Sequence, residues 1–278
     1  MKLQKELNIR LDNPETKPFL ADVFYPDADG KFPLIVFVHG YKGYKDWGTW
    51  DLMAEKIASA GYVFVKFNMS HNGTSLENPY EFTDMDSFGK NNYSKELSDL
   101  KLVINHFLSY PKVDSQTIGV IGHSRGGAIS IINTFEDERI DYLVTLGSID
   151  TLDRFPKGEK FEEWKENGIY HIINARTKQE MPHEFQFYED YKKNLKRFDV
   201  EAAMEQINAN ILIIHGTNDE AVNHQAAENL NLWSSKSDLI LIEDANHTFG
   251  GKEPWESNQL PEDLEIAIDE IIEFLNEQ

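Results

Sequence analysis

The 278-residue sequence predicts an α/β fold, a mostly parallel central sheet with helices on both faces. Three observations carry that prediction. Phe32 to Gly40 (FPLIVFVHG), Tyr62 to Asn68 (YVFVKFN) and Asn210 to Gly216 (NILIIHG) are apolar runs without polar alternation. A strand buried on both faces requires such a run, and parallel sheets bury both faces. Segments of helical spacing fall between the runs. The chain is 40% hydrophobic, enough for a sizeable core in one unit or two.

The elements follow in order. Lys2 to Leu11 and Pro18 to Pro26 read as two half-buried strands, paired as a hairpin. Phe32 to Gly40 is the third strand and ends in His-Gly. Trp47 to Ala60 is helical and stops at Gly61, a residue suited to a C-terminal cap. Tyr62 to Asn68 is the fourth strand. Leu97, Leu100, Ile104, Phe107 and Leu108 form an apolar helical stripe. Thr117 to Gly122 is the fifth strand, Ala128 to Phe135 a helix, and Asp141 to Ser148 the sixth strand. Asn210 to Gly216 and Asp238 to Asp244 add two more strands. Leu264, Ile268, Ile271, Ile272 and Leu275 mark a closing amphipathic helix.

From Asp150 to Ile207 the rhythm breaks. The stretch is rich in charge and aromatics and shows no buried strand. It is too long for a bare loop in a compact domain. The reading is a small helical cap, residues 150–207, inserted after the sixth strand into a core formed by 1–149 and 208–278. A connecting helical hairpin with no substrate role is the alternative.

Composition narrows the function. Lys plus Arg is 27 against 48 Asp plus Glu, a formal charge of −21. Such a surface repels nucleic acid and anionic membranes, so neither is an expected partner. The absence of cysteine excludes disulfides, thiolate metal sites and a cysteine nucleophile. No stretch approaches the ~18 apolar residues of a membrane span. The opening MKLQKELNIRLDNP does not read as a signal peptide, and the expected location is the cytoplasm.

The chemistry starts at GVIGHSRGGA, Gly119 to Ala128. Ser124 lies between Gly122 and Gly126, after a buried strand and before a helix of small residues. That is the context of a nucleophile elbow. A serine hydroxyl needs a base and a group to orient that base. His247, in EDANHTFGG, follows the last strand; Asp219, in IIHGTNDEAV, follows the strand before it. The oxyanion of an acyl-transfer intermediate needs two N–H donors. The backbone of Arg125 and that of Tyr41, after the third strand, are the expected pair. His39, His123, His215, His171 and His183 are weaker candidates for the base. Asp244 is a rival acid, too close in sequence to His247 to reach its far ring nitrogen.

These motifs resemble the α/β-hydrolase superfamily, over essentially the full length. The chain is similar within it to the dienelactone-hydrolase-like and cinnamoyl (feruloyl) esterase-like group. The resemblance rests on HGYKG, GHSRGG, HGTNDEAV and NHTF in that order, and on the inserted cap. One loop departs: where many relatives carry D-x-R-G-x-G-x-S, this chain has Asn68 to Ser75, without the acidic and basic residues. The resemblance implies ester hydrolysis through Ser124, Asp219 and His247, with no metal or organic cofactor. A small-molecule ester is the expected partner, and a homodimer stays open. Tyr188 and Tyr191 in the cap are candidate substrate contacts, although core packing explains them equally well. Lys42 and Lys45 read first as solvated lysines and second as attractors for an anionic group. A prolyl-oligopeptidase-like serine peptidase and a non-catalytic binding protein are the alternatives. Arg125 stands where such peptidases tend to carry an aromatic residue, and the chain is too short for their propeller.

Overall fold

Adjacent residues of the central strands serve two different cores. In Phe32–Val38 (β3), Leu34, Val36 and Val38 enter one core, while Ile35 and Phe37 enter the other. Asn210–Gly216 (β9) divides in the same way, with Ile211 and Ile213 on one face and Leu212 and Ile214 on the other. Side chains alternate across a strand, so an uninterrupted apolar run is what two covered faces demand. Each such fully buried aliphatic contributes about 1.5–3 kcal/mol over its exposed state.

The computed structural model describes residues 2–277. Leu3–Leu11 (β1) and Phe19–Pro26 (β2) precede β3; Trp50–Ser59 (α1), Val63–Phe67 (β4), Met85–Gly89 (α2) and Tyr93–Phe107 (α3) follow it. Then come Val113–His123 (β5), Arg125–Glu136 (α4) and Tyr142–Leu146 (β6). Five elements follow β6: Glu159–Asn167 (α5), Ile169–Ile173 (β7), Glu180–Glu184 (β8), Gln186–Lys193 (α6) and Val200–Met204 (α7). The chain closes with β9, Gln225–Trp233 (α8), Ser237–Ile242 (β10) and Glu262–Asn276 (α9).

Eight strands form one sheet in the order β1-β2-β4-β3-β5-β6-β9-β10. The run from β4 to β10 is parallel, and β1 and β2 attach antiparallel at one edge. Helices α1 and α9 cover one face through Trp50, Met53, Ile57, Leu264, Ile268 and Ile271. Helices α3, α4 and α8 cover the other. This is the α/β-hydrolase architecture expected from the sequence.

The chain winds from β3 to β4 in one direction and from β5 to β10 in the other. The strand order therefore reverses between β3 and β5, and a crevice opens at the carboxyl ends of strands at such a switch point. Register sharpens this: Val38, the last residue of β3, pairs with Gly122 near the end of β5. The two loops that leave these ends start side by side.

The segment after β6 is not purely helical, as the sequence reading had it. β7 and β8 pair antiparallel in a separate two-stranded sheet, with Ile169 opposite Glu184 and Ile173 opposite Glu180. IYHII and EMPHE are short, mixed in polarity and half exposed, so no apolar run marks them. Among the described residues no helix is long and apolar enough to cross a membrane.

Candidate active site

Ser124 sits between β5 and α4 with φ 56° and ψ −120°. A non-glycine residue in that region is strained and needs its surroundings to hold it there. They do so by close approach. A Cβ added at Gly126 would strike the carbonyl oxygens of Val38 and His39, backbone atoms that cannot move aside. Glycine thus lets α4 start directly against the end of β3. The Ser124 backbone N–H donates to Leu146 O at 2.9 Å, which fixes the turn to β6.

His247 and Asp219 meet as their strand-end positions require. His247 Nδ1 and Asp219 Oδ2 are hydrogen-bonded at 2.7 Å, a bond in which Nε2 takes no part. The Asp219 side chain has no exposure to solvent. Its other oxygen accepts from the backbone N–H groups of Ala221 and Val222 at 2.8 and 2.7 Å. Burial alone would raise this carboxyl, but hydrogen bonds from His215, His247 and Val222 outweigh it and hold the group below the usual carboxylate range. Gly147, at φ 54°, brings bare backbone against the pair: a Cβ there would lie 3.3 Å from Asp219 Oδ2 and 3.4 Å from His247 Nδ1.

Two histidines set aside on sequence support this pair. His215 Nε2–H points between Val222 O, at 2.9 Å, and Asp219 Oδ2, at 3.1 Å. His123 Nε2–H donates to the His247 carbonyl at 2.9 Å, and the two rings stand 4.8 Å apart. Burial first, and the nearby His247 second, push His123 down to about 3, so it remains a neutral prop. The HGTND spacing, which puts His215 four residues before Asp219, was the one available signal. Asp244 is an exposed turn residue at φ 59° whose backbone N–H donates to Thr217 Oγ1.

The loop after β3 carries Tyr41. Its backbone N–H and that of Arg125 take no part in the turn and capping hydrogen bonds around them. Three groups hold this loop from below. His39 donates from Nδ1 to Gly40 O at 2.9 Å and accepts the Met69 N–H on Nε2 at 3.2 Å. Asn68 Oδ1 accepts the Lys45 N–H at 2.7 Å, and Asn72 Nδ2 donates to Gly43 O at 3.2 Å. These asparagines belong to the loop that departs from the family pattern. Lys45, read from sequence as solvated, is instead 1% exposed. Its ammonium bonds Asp22 and Asp46 at 2.7 Å each. Lys66 joins the same carboxylates and Asp51. Asp22, Asp46 and Asp51 lie close enough to share a cation, and Lys66 supplies one.

A cavity of about 400 Å³ opens above Ser124, and His247, Tyr41 and Arg125 line it as well. Its apolar walls come from Tyr93, Phe155, Trp164 and Phe187, so the segment after β6 forms one side. Neither Tyr188 nor Tyr191 lines it. They pack in the aromatic cluster behind, Tyr188 at 4.7 Å from Phe161 and Tyr191 at 5.1 Å from Phe155. Tyr170 and His183, which the sequence reading did not place at the substrate, line the cavity instead. His183, pushed down to about 3 mainly by burial, is hydrogen-bonded to the Tyr41 hydroxyl at 2.6 Å. Lys42 lines the cavity beside Tyr41; burial and Arg125 lower its pKa. A larger groove of about 690 Å³ lies at the opposite ends of the strands, near Thr117, Tyr142 and Asn210, and has no histidine in its walls.

A doubly covered parallel sheet, with a strained serine at its switch point and a His–Asp pair beyond later strands, defines the α/β-hydrolase class. Comparison with known proteins agrees. Residues 19–146 match the family model of the Dienelactone hydrolase family, and residues 101–239, half the chain, match that of the BAAT / Acyl-CoA thioester hydrolase C terminal. The chain belongs to the α/β-hydrolase superfamily and is a hydrolase. Est1E from Butyrivibrio proteoclasticus, solved with ferulic acid bound, superposes with a TM-score of 0.75 at 20% identity, over 97% of this chain and 98% of that one. Mouse alpha/beta hydrolase domain-containing protein 10 gives a TM-score of 0.66 at 19% identity, over 98% of each chain. A curated relative, the Quorum-quenching protein AidA of Acinetobacter baumannii, is 25% identical over 142 residues, 51% of this chain. The match spans only 43% of AidA.

Proposed function

We propose that this hydrolase is a serine carboxylesterase with Ser124 as nucleophile, His247 as base and Asp219 as its orienting acid. The observation that carries the reading is the Asp219–His247 hydrogen bond of 2.7 Å beside a serine at φ 56°, with Ser124 and His247 in the walls of one cavity. Ser124 Oγ attacks the ester carbonyl carbon as His247 Nε2 takes its proton. The carbonyl oxygen becomes an oxyanion, held by the backbone N–H groups of Tyr41 and Arg125. Its collapse breaks the ester bond, and His247 returns the proton to the leaving alkoxide. Water then repeats the sequence on the acyl-enzyme, and the acid departs. Asp219 keeps the proton on Nδ1 and balances the imidazolium that forms at each step.

The aromatic walls fit an acyl or aryl group, which makes hydroxycinnamoyl and related aryl esters the first substrates to try. The likeness to Est1E supports that choice, and the segment 150–207 is in this reading a cap that shapes the pocket. A panel of para-nitrophenyl esters, hydroxycinnamate esters, acyl-CoA thioesters and aminoacyl amides tests the function. Ester turnover should dominate and vanish in Ser124→Ala, and a fluorophosphonate should label Ser124. Faster amide cleavage would replace the esterase by a peptidase, and absence of labelling would remove the serine mechanism.

A further inference from the structure

The two backbone donors assigned to the oxyanion belong to different elements. Arg125 is the first residue of α4, while Tyr41 sits in the loop after β3. Such a hole works only when both N–H groups aim at one point, and a misplacement of about 1 Å costs up to about 100-fold in rate. The loop therefore has to be held to the helix at that scale. Gly40 allows the approach: a Cβ there would lie 2.9 Å from the Ser124 Cβ. That contact brings the loop close but does not fix the direction of the residue after it.

The side chains of the same two residues supply that direction. The Arg125 guanidinium lies over the Tyr41 ring, 4.1 Å from its centre. Tyr93 and Phe187 flank it, with their ring centres 5.7 and 5.5 Å away. A planar guanidinium stacks well on aromatic faces, and the attraction grows where water is kept out. The Arg125 side chain is 14% exposed, so most of that attraction is kept. A third element sets where the guanidinium lies. Its Nη1 donates at 3.1 Å to Oε1 of Glu96, a buried residue in the first turn of α3. Asn91 Nδ2 donates to the same oxygen at 2.6 Å and steadies the carboxylate. The guanidinium thus starts from α4, is anchored by α3 and presses on the loop after β3.

We propose that the Arg125 side chain is a positioning residue: stacked on Tyr41 and anchored by Glu96, it locks the two oxyanion donors to each other. The inference rests on the reading of Ser124 as the nucleophile and of the Tyr41 and Arg125 N–H groups as the donors. It goes beyond that reading in giving Arg125 a second task, done by its side chain while its backbone holds the oxyanion. The task does not depend on the charge of the substrate. Wall packing alone would show in KM and stability; a clamp on the oxyanion donors shows in kcat.

The test uses para-nitrophenyl butyrate, a neutral ester, so attraction between substrate and guanidinium plays no part. Arg125→Met should lower kcat about tenfold with little change in KM, less than the roughly 10²–10³-fold that outright loss of an oxyanion donor costs. A trifluoromethyl ketone with the same propyl chain gives a second readout. Ser124 Oγ bonds to its carbonyl carbon, the serine proton passes to His247, and the C=O π pair moves onto oxygen as an oxyanion. Affinity for this ketone should fall by the same factor as kcat. Arg125→Lys, which keeps a cation by the ring, should recover part of both losses. In a Tyr41→Leu background, Arg125→Met should cost little more, because the contact is already gone. Arg125→Met leaves the Glu96 carboxylate buried without its counter-charge, so Arg125→Met/Glu96→Gln is made beside it and should show the same low kcat. Arg197→Met, which breaks an exposed ion pair with Glu136 at the far end of α4, should leave kcat unchanged. Unchanged kcat and ketone affinity in the Arg125 variants, a loss confined to KM, or a full further loss in the Tyr41→Leu background overturns the clamp and leaves the esterase standing. No turnover by the unaltered enzyme, with no labelling of Ser124 by a fluorophosphonate, overturns both.

Discussion

The Tyr41 hydroxyl and His183 Nε2 lie 2.6 Å apart, and this contact joins the loop after β3 to strand β8 of the inserted segment. His183 is itself fixed by its carbonyl, which accepts from Trp164 Nε1 at 2.8 Å, and by the Tyr170 ring stacked on it at 5.0 Å. If the Tyr41 backbone N–H serves the oxyanion, its side chain is anchored by a residue of the segment after β6. His183→Ala and Tyr41→Phe should then each lower kcat by about tenfold, roughly 1.4 kcal/mol, with a smaller change in KM. The double variant should be no worse than either single one, because both remove the same contact. Additive losses would show that the two side chains act separately.

In the proposed mechanism Asp219 acts through its charge and its hydrogen bonds. Asp219→Asn keeps the shape but can present an N–H to His247 Nδ1, which favours the wrong tautomer. The expected loss in kcat is about 10⁴-fold, with the far-ultraviolet circular dichroism unchanged. Because His215 also points at Asp219 Oδ2, His215→Ala should give an intermediate loss, near 10-fold by the value of one hydrogen bond. An Asp219→Asn enzyme of undiminished rate would assign the acid elsewhere.

Gly126→Ala tests the close approach of α4 to β3. The added methyl meets two backbone carbonyl oxygens, so the helix start must shift. Overpacking of this kind costs about 1–3 kcal/mol, occasionally more. Both Tm and fluorophosphonate labelling of Ser124 should fall. Gly158→Ala is the control for stability, since nothing lies within 4 Å of a Cβ there, although its φ of 62° still strains alanine.

How far these features were legible in the sequence depends on the range of the interaction behind them. Ser124 directly follows β5, and Asp219 and His247 lie in the loops just past β9 and β10; a strand end is a local signal. The same runs mark the central strands, but their order is set by pairing between distant segments. Lys45 reads as solvated because the partners that bury it, Asp22 and Asn68, each lie 23 residues away, and the adjacent Asp46 does not by itself signal burial. The β7–β8 hairpin was missed because its strands are half exposed and only five residues long. Tyr188 and Tyr191 share a helix face with core aromatics, and spacing cannot tell a cluster from a cavity wall.

Lys45→Met should report on the buried network under the Tyr41 loop. It strips one ammonium from Asp22, which is 2% exposed, and from Asp46. Breaking a buried pair by removing one partner costs about 3–5 kcal/mol. Lys66→Met removes the ammonium that three carboxylates share and should cost at least as much. Urea unfolding would measure both. A change below about 1 kcal/mol, the value of an exposed pair, would contradict the burial.

Burial, as the leading cause, pushes His39 and His71 down to about 4, and His123 and His183 down to about 3. In the unfolded chain each returns to about 6.5. Between those values the unfolded state binds protons that the folded state refuses, so stability rises with pH there and falls as the solution is acidified. The stability from these histidines is complete above about 6.5 and is lost progressively below it, at up to about 1.4 kcal/mol per pH unit for each. Asp99, pushed up to about 6 mainly by burial, has the opposite sign: between about 4 and 6 its folded form holds the extra proton and offsets part of the loss. Asp219, held low, adds its own loss only at more acid pH. Unfolding free energies at pH 7 and pH 5 should therefore differ by several kcal/mol, and His183→Gln, which cannot titrate, should flatten the slope. A stability unchanged from pH 7 to pH 5 would mean that these rings accept protons in the folded state.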